Sequence, residues 1–149
     1  MKLLALLFLS LLLYNCNIHT PAARHDYNLI IENNTSKSIQ IITYRNETSL
    51  YRSHFKTINI NPFSDYTESF TYDSWHMAEL DDGLFYNTDS VAIVYKKEKF
   101  KSFTCLSYGF DNNCNELRNP LQFKRETNIE YIITEEDYQN AEDCDGRCE

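Results

Sequence analysis

Short runs in which apolar and polar residues alternate are the feature that most restricts the fold of this chain. Tyr27, Leu29 and Ile31 alternate with polar neighbours. The turn-forming sequence Asn33–Ser36 follows, and a second alternating run extends from Ile39 to Tyr44. A period of two turns one face of a strand toward a core, and two such runs around a turn are typical of a β-hairpin. The sequence therefore predicts a hairpin over residues 27–44.

Similar runs recur along the chain, and no long helical pattern lies between them. The further predicted strands are Phe55–Ile60, Tyr66–Tyr72, Ser90–Tyr95, Phe100–Cys105 and Asn128–Thr134. About seven strands predict an all-β fold, an antiparallel β-sandwich of immunoglobulin-like type, with a small closed β-barrel as the alternative. Thr134 followed by Glu135-Glu136-Asp137 predicts a short helical turn to about Ala141, because threonine caps helices and acidic residues favour their first turn.

The first residues have the layout of a signal peptide. Lys2 precedes an apolar segment from Leu3 to Tyr14 that only Ser10 interrupts. A helix of that length rises about 18 Å, whereas the hydrocarbon core of a bilayer is roughly 30 Å thick. The segment is therefore too short to span and is expected to direct export.

The end of this segment resembles the lipobox of bacterial lipoproteins. Leu13-Tyr14-Asn15-Cys16 places a leucine three residues before a cysteine, although Asn15 departs from the usual small residue. The resemblance implies cleavage before Cys16, lipid on that thiol and, because Asn17 is not Asp, the periplasmic face of the outer membrane. The alternative is an ordinary signal peptide cut near Ala23. The expected division is a signal peptide over 1–15, a flexible tether over 16–26, a sandwich over 27–134 and an acidic C-terminal tail with a short helix over 135–149.

Four further cysteines remain, which is an even number. In an exported chain such cysteines are expected to form disulfides. Cys105 with Cys114 and Cys144 with Cys148 are the favoured pairs, since both close short segments that contain turn residues. A four-cysteine zinc site is the alternative, but neither spacing matches the usual hooks of such sites.

Charge and motifs argue against several classes of function. Lys and Arg number 14 against 22 Asp and Glu, for a net charge of −8, which disfavours binding to nucleic acid. Asp143-Cys144-Asp145-Gly146 lacks the spacing of a calcium-binding EF-hand loop. The chain has no recognisable catalytic, phosphate-binding or cofactor motif. We therefore predict a protein without cofactor, metal or enzymatic activity.

Aromatic residues supply the one candidate contact region. Trp75 and His76, together with Phe85 and Tyr86, lie in the longest stretch without clear strands. Loops at the end of a sandwich often form binding surfaces. The alternative is that these aromatic side chains fill the core.

Three phrases carry a resemblance to a family. Asp89–Tyr95, Asn119-Pro120-Leu121 and Ile133–Tyr138 resemble patterns of short, uncharacterised bacterial lipoproteins that have an immunoglobulin-like β domain. The resemblance implies the fold and the lipid anchor but no activity. The resulting interpretation is a membrane-anchored, non-catalytic module that binds another envelope component, or alternatively an inhibitor or immunity-type protein that blocks a periplasmic enzyme.

Overall fold

The computed structural model describes residues 23–48, 51–73, 83–85, 88–105, 107–108, 111–112, 114, 118–123, 126–146 and 148. This part of the chain is almost entirely β-structure. In chain order its elements are β1 (Arg24–Asn34), β2 (Ile39–Thr48), β3 (Tyr51–Ile60), β4 (Ser64–Asp73), β5 (Ser90–Tyr95), β6 (Lys99–Thr104), β7 (Ser107–Tyr108), β8 (Asp111–Asn112), a 3-10 turn (Pro120–Phe123), β9 (Asn128–Thr134), α1 (Glu135–Gln139) and β10 (Glu142–Asp143).

Eight of these strands form two sheets. The first sheet has the strand order β4-β1-β9, and the second has the order β10-β6-β5-β2-β3. Strands β7 and β8 form a separate two-stranded ribbon. The predicted all-β sandwich is confirmed. The closed barrel is not formed by the described strands, because each sheet ends in edge strands.

The predicted hairpin of the first two strands is wrong. β1 pairs with β4 on one side and with β9 on the other, whereas β2 pairs with β3 and β5 in the second sheet. Both edges of β1 are therefore occupied, and β2 has no edge of β1 to join. Residues 35–38 instead carry the chain from one sheet to the other.

One strand pair departs from the expected antiparallel arrangement. β9 runs parallel to β1, in a register that extends from Asn28 opposite Asn128 to Asn34 opposite Thr134. All other strand pairs among the described residues are antiparallel. Alternation along a strand fixes which face is buried but carries no information about the direction of its neighbour.

The core lies between the inner faces of the two sheets. Leu29 and Ile31 of β1 and Ile133 of β9 are fully buried from one side, and Ile41 of β2 and Ile93 of β5 are buried from the other. Burial of each such side chain contributes about 1.5–3 kcal/mol to folding. The alternation that predicts the strands is therefore the pattern that builds this core.

The predicted C-terminal helical turn is confirmed. The Thr134 side chain accepts a hydrogen bond from the backbone N–H of Asp137, whose carboxylate accepts one in return from the N–H of Thr134 at 2.8 Å. The helix ends at Gln139, two residues before the expected position.

The outer boundaries of the sandwich also differ from expectation. β10 pairs with β6, and the N–H of Cys144 donates to the carbonyl of Glu98 at 2.9 Å, so part of the acidic tail belongs to a sheet. At the other end β1 begins at Arg24, which shortens the expected tether.

Candidate functional site

Three strand connections and the helix meet at one end of the sandwich. β1 runs from Arg24 to Asn34. The strand registers bring four segments to its Asn34 end, namely residues 35–38, 61–63 and 96–98 and helix α1. We call this surface the distal end. The 11 residues of β1 separate it from Arg24 by about 36 Å, at about 3.3 Å per residue.

Asn33 fixes two of these connections. Its fully buried side-chain amide donates to the carbonyl of Lys37 at 2.8 Å and to that of Asn61 at 2.8 Å. Its side-chain oxygen accepts the backbone N–H of Thr35 at 3.1 Å. Since every polar atom of this side chain has a partner, its burial costs little. The connection 35–38 and the turn 61–63 are thereby held together from inside the protein.

A network around Glu98 joins the third connection to the helix. The Glu98 carboxylate accepts hydrogen bonds from Lys37 and from the hydroxyl of Tyr138, each at 3.1 Å. These two bonds lower the pKa of Glu98. The ammonium of Lys99 donates to the Gln139 carbonyl at 3.2 Å, which ties the end of the helix to β6. Exposed ion pairs of this kind each contribute little to stability. Here they connect residues of neighbouring loops.

The most unusual residue of the distal end is Phe63. Its side chain is 73% exposed, and its φ is 52°. A left-handed backbone costs an L-residue roughly 1–2 kcal/mol. An exposed phenylalanine also forgoes the 1.5–3 kcal/mol, roughly, that burial would contribute. Both costs fall on one residue at the tip of a turn that Asn33 holds in place.

Backbone strain is concentrated at the same end. Among the described residues other than glycine, five have positive φ, and three of them are Phe63, Lys96 (47°) and Lys97 (59°). Such conformations persist where surrounding structure enforces them and are often found at binding sites.

Four carboxylates lie at or near the distal end. Glu32 and Asp65 lie opposite each other on β1 and β4, one position beyond the turn. Glu135 and Glu136 are exposed on α1, and the Glu135 carboxylate accepts the N–H of Ser36 at 3.3 Å. The distal end therefore combines an exposed aromatic residue with charged side chains of both signs, because Lys96 and Lys97 are exposed there as well.

Of the contact region predicted from sequence, only Phe85 is described. Its side chain is completely buried, and its ring meets that of Tyr131 edge-on with the centroids 6.5 Å apart. Phe85 is thus a core residue and not an exposed contact. Trp75, His76, Tyr86 and the lipidation candidate Cys16 lie outside the described residues.

The four paired cysteines lie where the favoured connectivity requires. Cys105 forms a disulfide with Cys114, and Cys144 forms one with Cys148, with Cα–Cα distances of 4.9 and 5.3 Å. No group of three or more His, Cys, Asp or Glu side chains that could hold a metal ion occurs among the described residues. The cysteines therefore close two local loops in place of a zinc site.

Sequence reasoning missed Phe63 and Asn33 as site residues. Asn61-Pro62-Phe63-Ser64 is a turn sequence, and the aromatic residue after proline was its only visible signal. The sequence Asn33–Ser36 predicts a hairpin turn and gives no sign of the bonds that the Asn33 amide donates to the carbonyls of Ile60 and Asn61.

Comparison with known proteins adds no family. No protein-family model, no curated protein and no solved structure matches this chain. The fold and the site define the chain as an all-β sandwich that has an exposed phenylalanine and residues of positive φ in the loops at one end. No helix in the described ranges is long and apolar enough to cross a membrane.

Proposed function

We propose that the protein is a non-catalytic binding module of the bacterial cell envelope, held to the membrane by lipid on Cys16, that binds a partner protein through the distal end. The observation that carries the proposal is Phe63, an exposed aromatic residue whose backbone is held at positive φ. Buried aromatic anchors contribute much of the binding energy at protein interfaces. A partner that covers Phe63 would recover the free energy that its exposure costs the free protein.

The position of the distal end supports this assignment. Lipid on Cys16 would attach the domain on the Arg24 side of the sandwich, and the distal end lies about 36 Å away along β1. A lipid-tethered sandwich would thus present Phe63 away from its attachment point. This favours a protein partner over the membrane that carries the anchor.

The charged side chains of the distal end bear on the chemistry of the partner. Glu32, Asp65 and the two glutamates of α1 lie near this end, and so do the exposed Lys96 and Lys97. A complementary partner offers an apolar pocket for a phenyl ring, with charged groups of both signs at its margin.

Photo-crosslinking in intact cells tests the proposal. A photoreactive phenylalanine at position 63 of the lipid-anchored chain is expected to form an adduct of defined mass, whereas the same group at exposed Ser69 on β4 is not. The purified partner should then bind Phe63→Gly at least about tenfold more weakly than wild type, which corresponds to about 1.4 kcal/mol. Absence of an adduct at position 63, or unchanged affinity of Phe63→Gly, would contradict the proposal.

An inhibitor of an envelope enzyme is the second candidate, and the rigidity of the distal end favours it. A tight inhibitor presents a loop that is already ordered before binding, which lowers the entropic cost of association. If the crosslinked partner is an enzyme, the wild-type protein should reduce its turnover and Phe63→Gly should not. If the turnover of that enzyme is unchanged by a saturating concentration of the protein, the inhibitor hypothesis is wrong and the protein binds without inhibiting.

A further inference from the structure

The outer edge of β9 has the properties of a site for an extended peptide. β9 is the last strand of its sheet, since the strand order is β4-β1-β9. The N–H of Asn28 in β1 donates to the Thr127 carbonyl, so the backbone groups of every second residue from Thr127 onward point toward β1. The backbone groups of Glu130 and Ile132 therefore point away from the sheet. The Ile132 carbonyl accepts a hydrogen bond from Arg118, which agrees with this orientation.

Three backbone groups at this edge have no hydrogen-bond partner among the described residues. They are the N–H and the carbonyl of Glu130 and the N–H of Ile132, because Arg118 occupies only the Ile132 carbonyl. One terminal nitrogen of Arg118 also has no acceptor within the described ranges, although Nε and the other terminal nitrogen donate to Asp137. Unpaired groups along a strand edge are the groups with which an added strand pairs.

A groove beside these groups has room for such a strand. Its volume is about 320 Å³, and the 3-10 turn contributes Gln122 and Phe123 to its wall. Glu130, Ile132 and Arg118 line the groove as well. Phe123 is half-buried and packs against the core, so it offers apolar surface to a side chain that points inward. The exposed Glu130 side chain supplies a negative charge on the outer face of the sheet.

We propose that an extended segment of a partner protein adds to β9 as an antiparallel strand, with a lysine or arginine opposite Glu130. In this arrangement the residue opposite Glu130 pairs with both its N–H and its carbonyl. The cationic side chain then lies on the same face as the Glu130 carboxylate, where opposite charges form a favourable cross-strand pair. The neighbours of the cationic residue turn inward, toward Phe123.

Charge favours such a segment over a second copy of this chain. β9 contains Glu130 but no lysine or arginine, so no antiparallel register of two β9 strands puts a cation opposite this carboxylate. The chain as a whole carries a net charge of −8, which attracts a basic partner and repels a second copy. The occupant that fits the edge is therefore a basic segment of a different protein.

Two short capped peptides test the pairing. Both have a threonine at each end and two inner valines, and the central residue is lysine in one peptide and glutamate in the other. We expect saturable binding of the lysine peptide with a Kd on the order of 1 mM, and at least about threefold weaker binding of the glutamate peptide. In a two-dimensional NMR spectrum the largest shifts should fall on the backbone amides of Glu130 and Ile132, since both gain an acceptor.

N-methylation of the lysine peptide distinguishes strand addition from general charge attraction. A methyl group on the lysine backbone nitrogen removes the N–H that the Glu130 carbonyl accepts, so the affinity should fall at least about tenfold. A methyl group on the nitrogen of the next valine lies on the edge that faces away from β9, and the affinity should stay within about twofold. Both peptides keep the same charge, so electrostatics alone predicts equal affinities.

Charge reversal on the protein identifies the residue that selects the cation. Glu130→Lys should bind the glutamate peptide more tightly than the lysine peptide, whereas Glu136→Lys, the same change on exposed α1, should keep the wild-type preference. Urea unfolding checks that both variants are folded. The proposal is overturned by any of four results: no saturable binding, equal effects of the two methyl groups, an unreversed preference in Glu130→Lys, or a protein dimer that pairs the two β9 edges.

These results are separate from those for the distal end. Phe63→Gly should bind the lysine peptide with the affinity of the wild type, because Phe63 lies in the β3–β4 turn and the groove lies between β9 and the 3-10 turn. Glu130→Lys should likewise retain the affinity of the crosslinked partner for the distal end.

Discussion

Arg118 and Asp137 form a two-pronged ion pair that connects the segment before the 3-10 turn to helix α1. The Asp137 carboxylate also accepts the backbone N–H of Thr134, so the same group pairs with the arginine and caps the helix. Its side chain is 18% exposed. A carboxylate that is largely removed from water and shared between two roles is expected to be sensitive to both substitution and pH.

Replacement of Asp137 by asparagine tests this dual role. Burial opposes ionisation, but the hydrogen bonds from Arg118 and Thr134 outweigh it and lower the pKa of Asp137. We expect Asp137→Asn to reduce the free energy of unfolding by about 1–2 kcal/mol at pH 7, mainly through the lost cap and ion pair. Glu136→Gln removes the same charge from an exposed position of the helix and should cost less. Urea unfolding of the three proteins measures the difference.

The pH dependence of this effect has a defined sign. Because the folded pKa lies below the unfolded value of about 3.9, the ionised carboxylate stabilises the protein above about pH 4 and loses this contribution as pH falls through the folded pKa. The stability difference between wild type and Asp137→Asn should therefore shrink below about pH 4. A difference that stays constant down to pH 2 would contradict this account.

The buried side chain of Asn33 gives a second prediction, and the exposed neighbour Asn34 serves as its control. Asn33→Asp replaces two amide donors by a carboxylate that faces the carbonyls of Lys37 and Asn61. We expect a loss of about 3–5 kcal/mol, the usual cost of an uncompensated buried charge. Asn34→Asp makes the same chemical change at an exposed neighbour and should cost under about 1 kcal/mol. Equal losses in the two variants would mean that the buried bonds do not hold the connections.

The strands could be predicted from sequence far better than their arrangement. Alternation at Leu29 and Ile31, and again at Ile129 and Ile133, is set by burial on one face, which is a local property. Strand pairing is not local, because β1 meets β9 about a hundred positions later and in parallel. The cap at Thr134 was predictable since its partner Asp137 lies only three residues away.

The candidate site was beyond sequence reasoning for the same physical reason. Phe63 has a positive φ in a turn whose Asn61 carbonyl accepts a hydrogen bond from Asn33, across 28 positions, and this contact cannot be read from the local sequence. Phe85, in contrast, lies in an aromatic stretch that suggested a surface loop, yet it packs against Tyr131 in the core. Aromatic residues occur both in the core and in surface binding loops, so composition alone could not tell which of these environments Phe85 occupies.

Tryptic mapping without reduction tests the disulfide connectivity. Cleavage after Lys101 and Arg118 yields a peptide that contains both Cys105 and Cys114, and reduction should add two hydrogens to it without splitting it. Cleavage after Arg147 separates Cys144 from Cys148, so that pair should appear as residues 126–147 linked to the peptide that begins at Cys148, until reduction splits them. A species that links residues 102–118 to residues 126–147 would contradict the pairing.

Because Phe63 has a strained backbone, replacing it by alanine or by glycine should change the free energy of unfolding by different amounts. Phe63→Ala removes the ring but keeps a Cβ, so the backbone still bears the cost of a φ of 52°. Phe63→Gly removes both, and glycine adopts positive φ without a steric penalty. Since the native ring is 73% exposed, its loss costs little packing in either variant. We expect Phe63→Gly to be about 1 kcal/mol more stable than Phe63→Ala by urea unfolding, after the entropic cost of glycine in the unfolded chain is included. If the alanine variant is the more stable one, the turn relaxes to negative φ in solution, and the distal end is not the preorganised surface that partner binding requires.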